Sequence, residues 1–254
     1  MAGRVAIGLT ALALSVLVAA AAMGSGSPTY AASNLPLFFG FEVSPSRLSQ
    51  TNPTPARLHL SGGDWIHANE PAAAMRGLQF QLDKRFVLDV KGIPTVKGTP
   101  GCMPGRSPRR AVGAVRKACA PAVVGNGRIG VEVRFPDQPP VPVGSEVVIL
   151  NGGVGGRTTM LYVYAFFPAP VTAAVSIPVK VRKVDEDRFG WKAVVTVPKI
   201  AGGSGSIDRY SFRLQRRVVA AICDDGKHEA RVLSAFADGF RMYERAIRPC
   251  TVRS

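Results

Sequence analysis

Over much of this chain apolar residues recur at every second position, and that period limits the fold more narrowly than any other feature. Leu78, Phe80 and Leu82 alternate with Gln79, Gln81 and Asp83, and Phe86, Leu88 and Val90 repeat the pattern. Ile129, Val131, Val133 and Phe135 do the same, as do Val175, Ile177, Val179 and Val181, and then Tyr210, Phe212 and Leu214. Successive side chains of a strand point to opposite faces, so each run reads as a half-buried strand of an antiparallel sheet. Turn signals such as Asn151-Gly152, Asp225-Gly226 and Asp238-Gly239 separate the runs. The pattern predicts an all-β fold, an antiparallel β-sandwich of immunoglobulin-like or jelly-roll-like kind. Residues 160–167 are apolar at both parities, which predicts a central strand covered on both sides.

One stretch, residues 92–135, breaks the monotony. Ser107 and Pro108 form an N-cap and first-turn pair, and Ala111, Val112, Val115, Ala118 and Cys119 follow at helical spacing until Pro121. Arg109, Arg110, Arg116 and Lys117 fall largely off that apolar stripe. The expectation is one short helix, pinned to the sheet by a disulfide, with a basic outer side as a candidate anion-binding patch.

The first residues point to export. Arg4 precedes an apolar and small-residue run over residues 5–23, and small residues follow around Ala31. This order of basic start, apolar centre and small-residue site is that of a secretory signal peptide, residues 1–31, with cleavage near Ala31 or, as a second choice, at Ala22. An uncleaved anchor is the alternative, since a helix of this length is nearly enough to span a bilayer at about 1.5 Å per residue. No second run is long enough to span a membrane. The remaining residues, 32–254, form one β-domain, with a possible sub-boundary in the proline-rich segment near 136–144. The chain has 4 cysteines, an even number that in an oxidising compartment favours disulfides over metal ligands. Three pairings exist; Cys102 with Cys119 and Cys223 with Cys250 close the shortest loops and are preferred.

The formal net charge is +15. A field of that sign attracts anionic surfaces, and outside a membrane those are envelope polymers, lipid headgroups and free nucleic acid. Aromatic residues for base stacking are missing near the basic helix, which argues against specific nucleic-acid recognition. Catalytic signatures are weak. Ser204 has Ser206 where a nucleophile elbow needs glycine, and the glycine-rich segment 152–156 lacks the Lys-Ser/Thr of a phosphate loop. Asp185, Glu186 and Asp187 lack the interleaved spacing of a calcium loop. The most reactive-looking segment holds His59, Asp64, His67 and Glu70 in a loop, the basis for an alternative reading as an envelope hydrolase or metal-dependent enzyme. The spacing of the two histidines matches neither a zincin helix nor a zinc knuckle. The leading expectation is a secreted, non-catalytic protein without cofactor or metal, located outside the cell or in its envelope and binding anionic polymers through basic faces.

Several short pieces resemble a family of uncharacterised exported actinobacterial proteins. They are Gly92-Ile93-Pro94 with Cys102 nearby, Ala118-Cys119 followed by Val124-Gly125-Asn126-Gly127, and Asn151-Gly152-Gly153. Residues 198–205, Cys223-Asp224-Asp225-Gly226, and Ala237-Asp238-Gly239 ahead of Pro249-Cys250 complete the set. Where such relatives have Phe-Asn-Gly, this chain has Leu150-Asn151-Gly152. The resemblance implies a signal-bearing all-β protein with paired cysteines and brings no activity, ligand or catalytic residue.

The disulfide reading has a direct consequence. Replacing both Cys102 and Cys119 with Ala should destabilise the protein by about 3 kcal/mol on the chain-entropy argument, visible as a lower melting temperature. An unchanged melting temperature would show that no such clip exists.

Overall fold

The computed structural model describes residues 37–64, 73–102, 110–169 and 172–253. In chain order the strands are β1 (Leu37–Ser44), β2 (Arg47–Leu48), β3 (Thr54–Pro55), β4 (Arg57–Asp64), β5 (Met75–Asp83), β6 (Phe86–Leu88), β7 (Val123–Val133) and β8 (Val141–Gly155). They continue with β9 (Thr158–Phe167), β10 (Ala173–Glu186), β11 (Phe189–Thr196), β12 (Gly205–Leu214), β13 (Val219–Ala221), β14 (Lys227–Phe236), β15 (Arg241–Pro249) and β16 (Thr251–Val252). One α-helix, α1 (Val112–Ala118), lies among the described residues. No helix among them is long and apolar enough to cross a membrane. Residues 1–31, expected as a signal peptide, fall outside the described set, as do Trp65, His67, Glu70, Ser107, Pro108 and Arg109.

The strands expected from alternation form, and they are antiparallel, but they do not make a two-layer sandwich. A single 11-stranded sheet runs β1-β4-β12-β7-β8-β9-β10-β11-β5-β14-β15, and it curls until its edge strands β1 and β15 are neighbours. Twist is the physical reason: a twisted sheet of more than about ten strands curls or splits. Curling brings one face of every strand to a common interior. Phe41, Leu58, Leu60, Phe80, Leu82, Ile129, Val131, Ile149, Leu161, Val163, Ile177, Val179 and Val181 all belong to that single core. The proline-rich segment near 136–144 joins β7 to its antiparallel neighbour β8.

Ten antiparallel steps separate β1 from β15, so the two edge strands must run in the same direction. They cannot close the barrel with another antiparallel ladder. The seam is instead tied by other means: the Arg248 guanidinium Nε donates to the Phe41 carbonyl at 2.9 Å. Just beyond, β16 pairs with β2 in parallel, as the parity demands. A three-stranded sheet, β3-β13-β6, sits where β4 begins and where β5 and β12 end, and it sends Phe86, Val219 and Ala221 into the same core. Cys223, just past β13, is bonded to Cys250 between β15 and β16, so this rim sheet is stapled to the last strands.

The other disulfide, Cys102–Cys119, makes the expected clip. Val112 and Val115 of α1 are buried with both cysteines against Val148, Leu150 and Tyr164 on the outside of β8 and β9. The Tyr164 hydroxyl donates to the Arg110 carbonyl at 2.6 Å, fixing where the helix begins. β9 therefore has the barrel core on one side and the clip on the other, and it is the middle strand of the eleven, as its unbroken apolar run requires. The helix starts later than the capping pair suggests: its N-cap position is Ala111, with no side-chain cap. Asn151 joins the clip loop to the sheet, its side-chain amide donating to the Ile93 carbonyl at 2.8 Å.

Within β12 the register against β7 shifts between Ile207 and Arg209, leaving Asp208 as an extra residue in a bulge. The bulge reverses the parity of the strand. Ile207 faces the core before it, Tyr210 and Phe212 face the core after it, and Arg209, Ser211 and Arg213 are turned outward. Two glycines make room. A Cβ on Gly63 would lie 2.3 Å from the Asp208 carbonyl oxygen, and one on Gly130 would lie 2.3 Å from its carboxylate. Gly63→Ala should therefore cost about 1–3 kcal/mol, as overpacked sites do, and lower the melting temperature. Gly144→Ala, whose Cβ would meet nothing within 4 Å, should leave it nearly unchanged. Equal melting temperatures for the two variants would contradict the bulge packing.

Candidate functional site

The barrel interior is not a binding site of useful size. Its unfilled space is about 90 Å³, less than the roughly 150 Å³ that admits one benzene molecule, and its walls are almost wholly apolar. The larger concavity lies on the outside, across β1, β4, β12, β7 and β8. Cross-strand register sets its side chains in rows. Gly40, Ser61, Ser211, Arg128 and Glu146 form one, with Phe38, Gly63, Arg209, Gly130 and Gly144 beside it. Glu42, His59, Arg213 and Asn126 form the row on the other side. Glycine and serine fill the centre, so side chains there do not fill the space above the sheet. The result is an open groove of about 800 Å³ lined by Ser61, Arg128, Gly130, Gly144, Ser211 and their neighbours.

Arg128 and Arg209 lie in the groove wall together with Glu146, and Arg213 stands in the neighbouring row. Arg128 and Arg213 are exposed, and among the described residues neither has an ion-pair partner. Arg209 contacts the neighbouring Asp208 carboxylate at 3.2 Å while remaining largely exposed. Burial pushes the Asp208 carboxyl above the usual carboxylate value, the Arg209 charge opposing it. At the edge of the groove His59 Nε2 lies 2.8 Å from Ser211 Oγ, diagonally across β4 and β12. Its Nδ1 lies 3.5 Å from a Glu42 carboxylate oxygen directly across on β1. The imidazole is 22% exposed and the Glu42 side chain 75%. A hydroxyl, an imidazole and a carboxylate in that order can pass a proton away from the hydroxyl.

The residues singled out from the sequence are placed differently. Arg116 on the helix is 3.2 Å from Glu146, which neutralises part of the anticipated basic patch. Arg110 and Lys117 are exposed, and Arg109 lies outside the described residues. Of the His59, Asp64, His67 and Glu70 loop, only His59 and the backbone of Asp64 are described. They are five positions apart on β4, about 17 Å along a strand, too far for one site. Among the described residues no three of His, Cys, Asp and Glu gather as a metal site. His59 takes Ser211 and Glu42 as its partners instead. Ser211 is 152 residues away in the chain, so no local motif could have announced it.

The densest titratable cluster lies at the rim and is structural. Asp83, fully buried, accepts from Arg85 at 3.1 Å and from Arg188 at 2.9 Å. Arg85 also holds Asp224 and Asp225, Arg188 holds Asp225, and Arg245 pairs with Glu229. Every carboxylate in it has a partner, and the cluster fixes the Asp224-Asp225-Gly226 turn beside the Cys223–Cys250 bond. His228 is buried nearby, its Nε2 donating to the Ile222 carbonyl at 2.8 Å and its ring against Phe86.

No family model, curated protein or solved structure matches this chain, so the reading of the site rests on its geometry.

The rim cluster makes stability depend on acid. The Arg85 hydrogen bond holds the Asp224 carboxyl below its ordinary 3.8. For Asp225 burial works the other way, but the Arg188 hydrogen bond and nearby cations outweigh it and the net direction is again downward. A depressed folded-state value means the stabilisation is complete above the unfolded value and is lost as pH falls through the folded one. Melting temperature should therefore hold from pH 7 to about pH 5 and drop below about pH 4. The Asp224→Asn, Asp225→Asn double variant should be less stable at pH 7 and lose less on acidification. Parallel pH profiles for the two proteins would contradict this assignment.

Proposed function

We propose that the protein works outside the cytoplasm, in the cell envelope or the extracellular space, as a binding protein for anionic polymers, which lie along the outer groove. The observation that carries this reading is the pair of exposed arginines, Arg128 and Arg213, which have no ion-pair partner among the described residues and stand beside a trough of glycine and serine. Arginine offers a planar fork of donors that suits phosphate and carboxylate. Small residues between the cations let a linear chain approach the sheet closely. A groove of about 800 Å³ that spans five neighbouring strands suits an extended segment better than a compact ligand. The net charge of +15 adds long-range attraction to the same partners. Both disulfides fit an oxidising compartment, and export is the reading that the first residues of the chain support. The basic side of the helix takes a lesser role, because Glu146 already occupies Arg116.

Retention on immobilised polyphosphate tests this. The wild-type protein should be retained at low salt and elute as salt rises, since screening weakens exposed charge contacts. Arg128→Ala with Arg213→Ala should elute at clearly lower salt, whereas Arg110→Ala with Lys117→Ala should shift elution much less. Unretained wild-type protein, or a groove double variant eluting with wild type, would remove the proposal.

A further inference from the structure

We propose that Ser211 is a nucleophile, that His59 is its general base, and that the groove cleaves carboxylic esters carried on an anionic molecule. This rests on the groove as the place where the anion is held, and it adds a reaction to binding. Three observations lead to it. Ser211 Oγ and His59 Nε2 are at hydrogen-bond distance, 2.8 Å, in the free protein. The far nitrogen of the same ring faces the Glu42 carboxylate at 3.5 Å, which favours the tautomer that leaves Nε2 free to accept a proton. Ser211 also lines a groove open to solvent, and its direct cross-strand partner on the other side is Arg128. None of these residues is needed to hold the fold together. The core lies on the other face, and the rim network and both disulfides lie elsewhere.

The chemistry closes with water as the second reactant. Ser211 Oγ adds to the ester carbonyl carbon while its proton passes to His59 Nε2, and Arg128 faces the negative oxygen that develops. Collapse breaks the bond from carbonyl carbon to alkoxy oxygen. The leaving alkoxide takes the proton from His59, and the acyl group stays on Ser211. Water then adds to the acyl-serine, giving its proton to His59. Release of the carboxylic acid returns that proton to Ser211. Glu42 is a positioning residue: its exposure makes its hold on the ring weak, so its removal should cost much less than that of Ser211 or His59.

A fluorophosphonate reagent, which phosphonylates activated serines, tests the nucleophile without any knowledge of the natural ester. The folded wild-type protein should gain the mass of one phosphonyl group, placed on Ser211 by peptide mass spectrometry. Ser211→Ala should gain none, His59→Gln should be labelled at least a hundredfold more slowly, and Glu42→Gln less than tenfold more slowly. Melting temperatures of the variants, all on the outer face, should match wild type. Polyphosphate retention of the wild-type protein is measured on the same sample, so that retained protein taking no label marks failure of the reaction and unretained protein marks failure of the binding site. No adduct on the wild-type protein, an adduct that survives Ser211→Ala, or labelling insensitive to His59→Gln overturns the proposal.

Discussion

The parity of the strand count governs this structure. Eleven strands in antiparallel succession leave the first and last pointing the same way, so the barrel cannot close by repeating the ladder that built it. An open edge is a liability, because unpaired backbone groups invite other strands. The chain meets this with devices of different kinds: the Arg248 contact to the Phe41 carbonyl, the parallel β2–β16 pair, and the Cys223–Cys250 bond at the same end. The rim charge network belongs with these, since it holds the turn that follows Cys223. Taken together they explain why the C-terminal quarter of the chain concentrates cysteine, aspartate and arginine while the middle is almost purely alternating.

Closure also decides where function can reside. The curled sheet has only one interior, and its apolar side chains fill that space nearly completely. The outer face is therefore left to carry chemistry. On β8 and β9 it is occupied by the helix clip, with Val112 and Val115 over Val148 and Tyr164. On β1, β4, β12 and β7 it stays open, and there the glycines, serines and arginines gather. The clip and the groove divide one surface into a packed half and an open half, with Glu146 and Arg116 meeting at their border.

Much of the fold was legible in the sequence because alternation and cysteine spacing are local signals. The half-buried strands, the doubly covered β9 and both cysteine pairings follow from residues close together in the chain. The barrel was not legible, since sandwich and barrel share the same period and differ only in which strands become neighbours. The helix start was misplaced by reading Ser107 and Pro108 as a cap, whereas burial of Val112 and the Tyr164 hydrogen bond set the boundary. The site was the least legible part. His59 stood out as one of 3 histidines, but Ser211 looked like any outward residue between two arginines, and Glu42 lay in an apolar stretch. Only the β1–β4–β12 pairing brings the three together.

The bulge at Asp208 gives this site an unusual kind of dependence, on counting more than on composition. A β12 of the same sequence but with strict alternation and no bulge would have the same mass and charge. It would nonetheless force a choice between burying Ile207 and burying Tyr210, Phe212 and Leu214. If Ile207 kept its place, the arginines and Ser211 would turn into the barrel and the aromatic rings would meet water. One irregular residue, absent from every row of the groove, thus decides which face of the barrel those rows occupy.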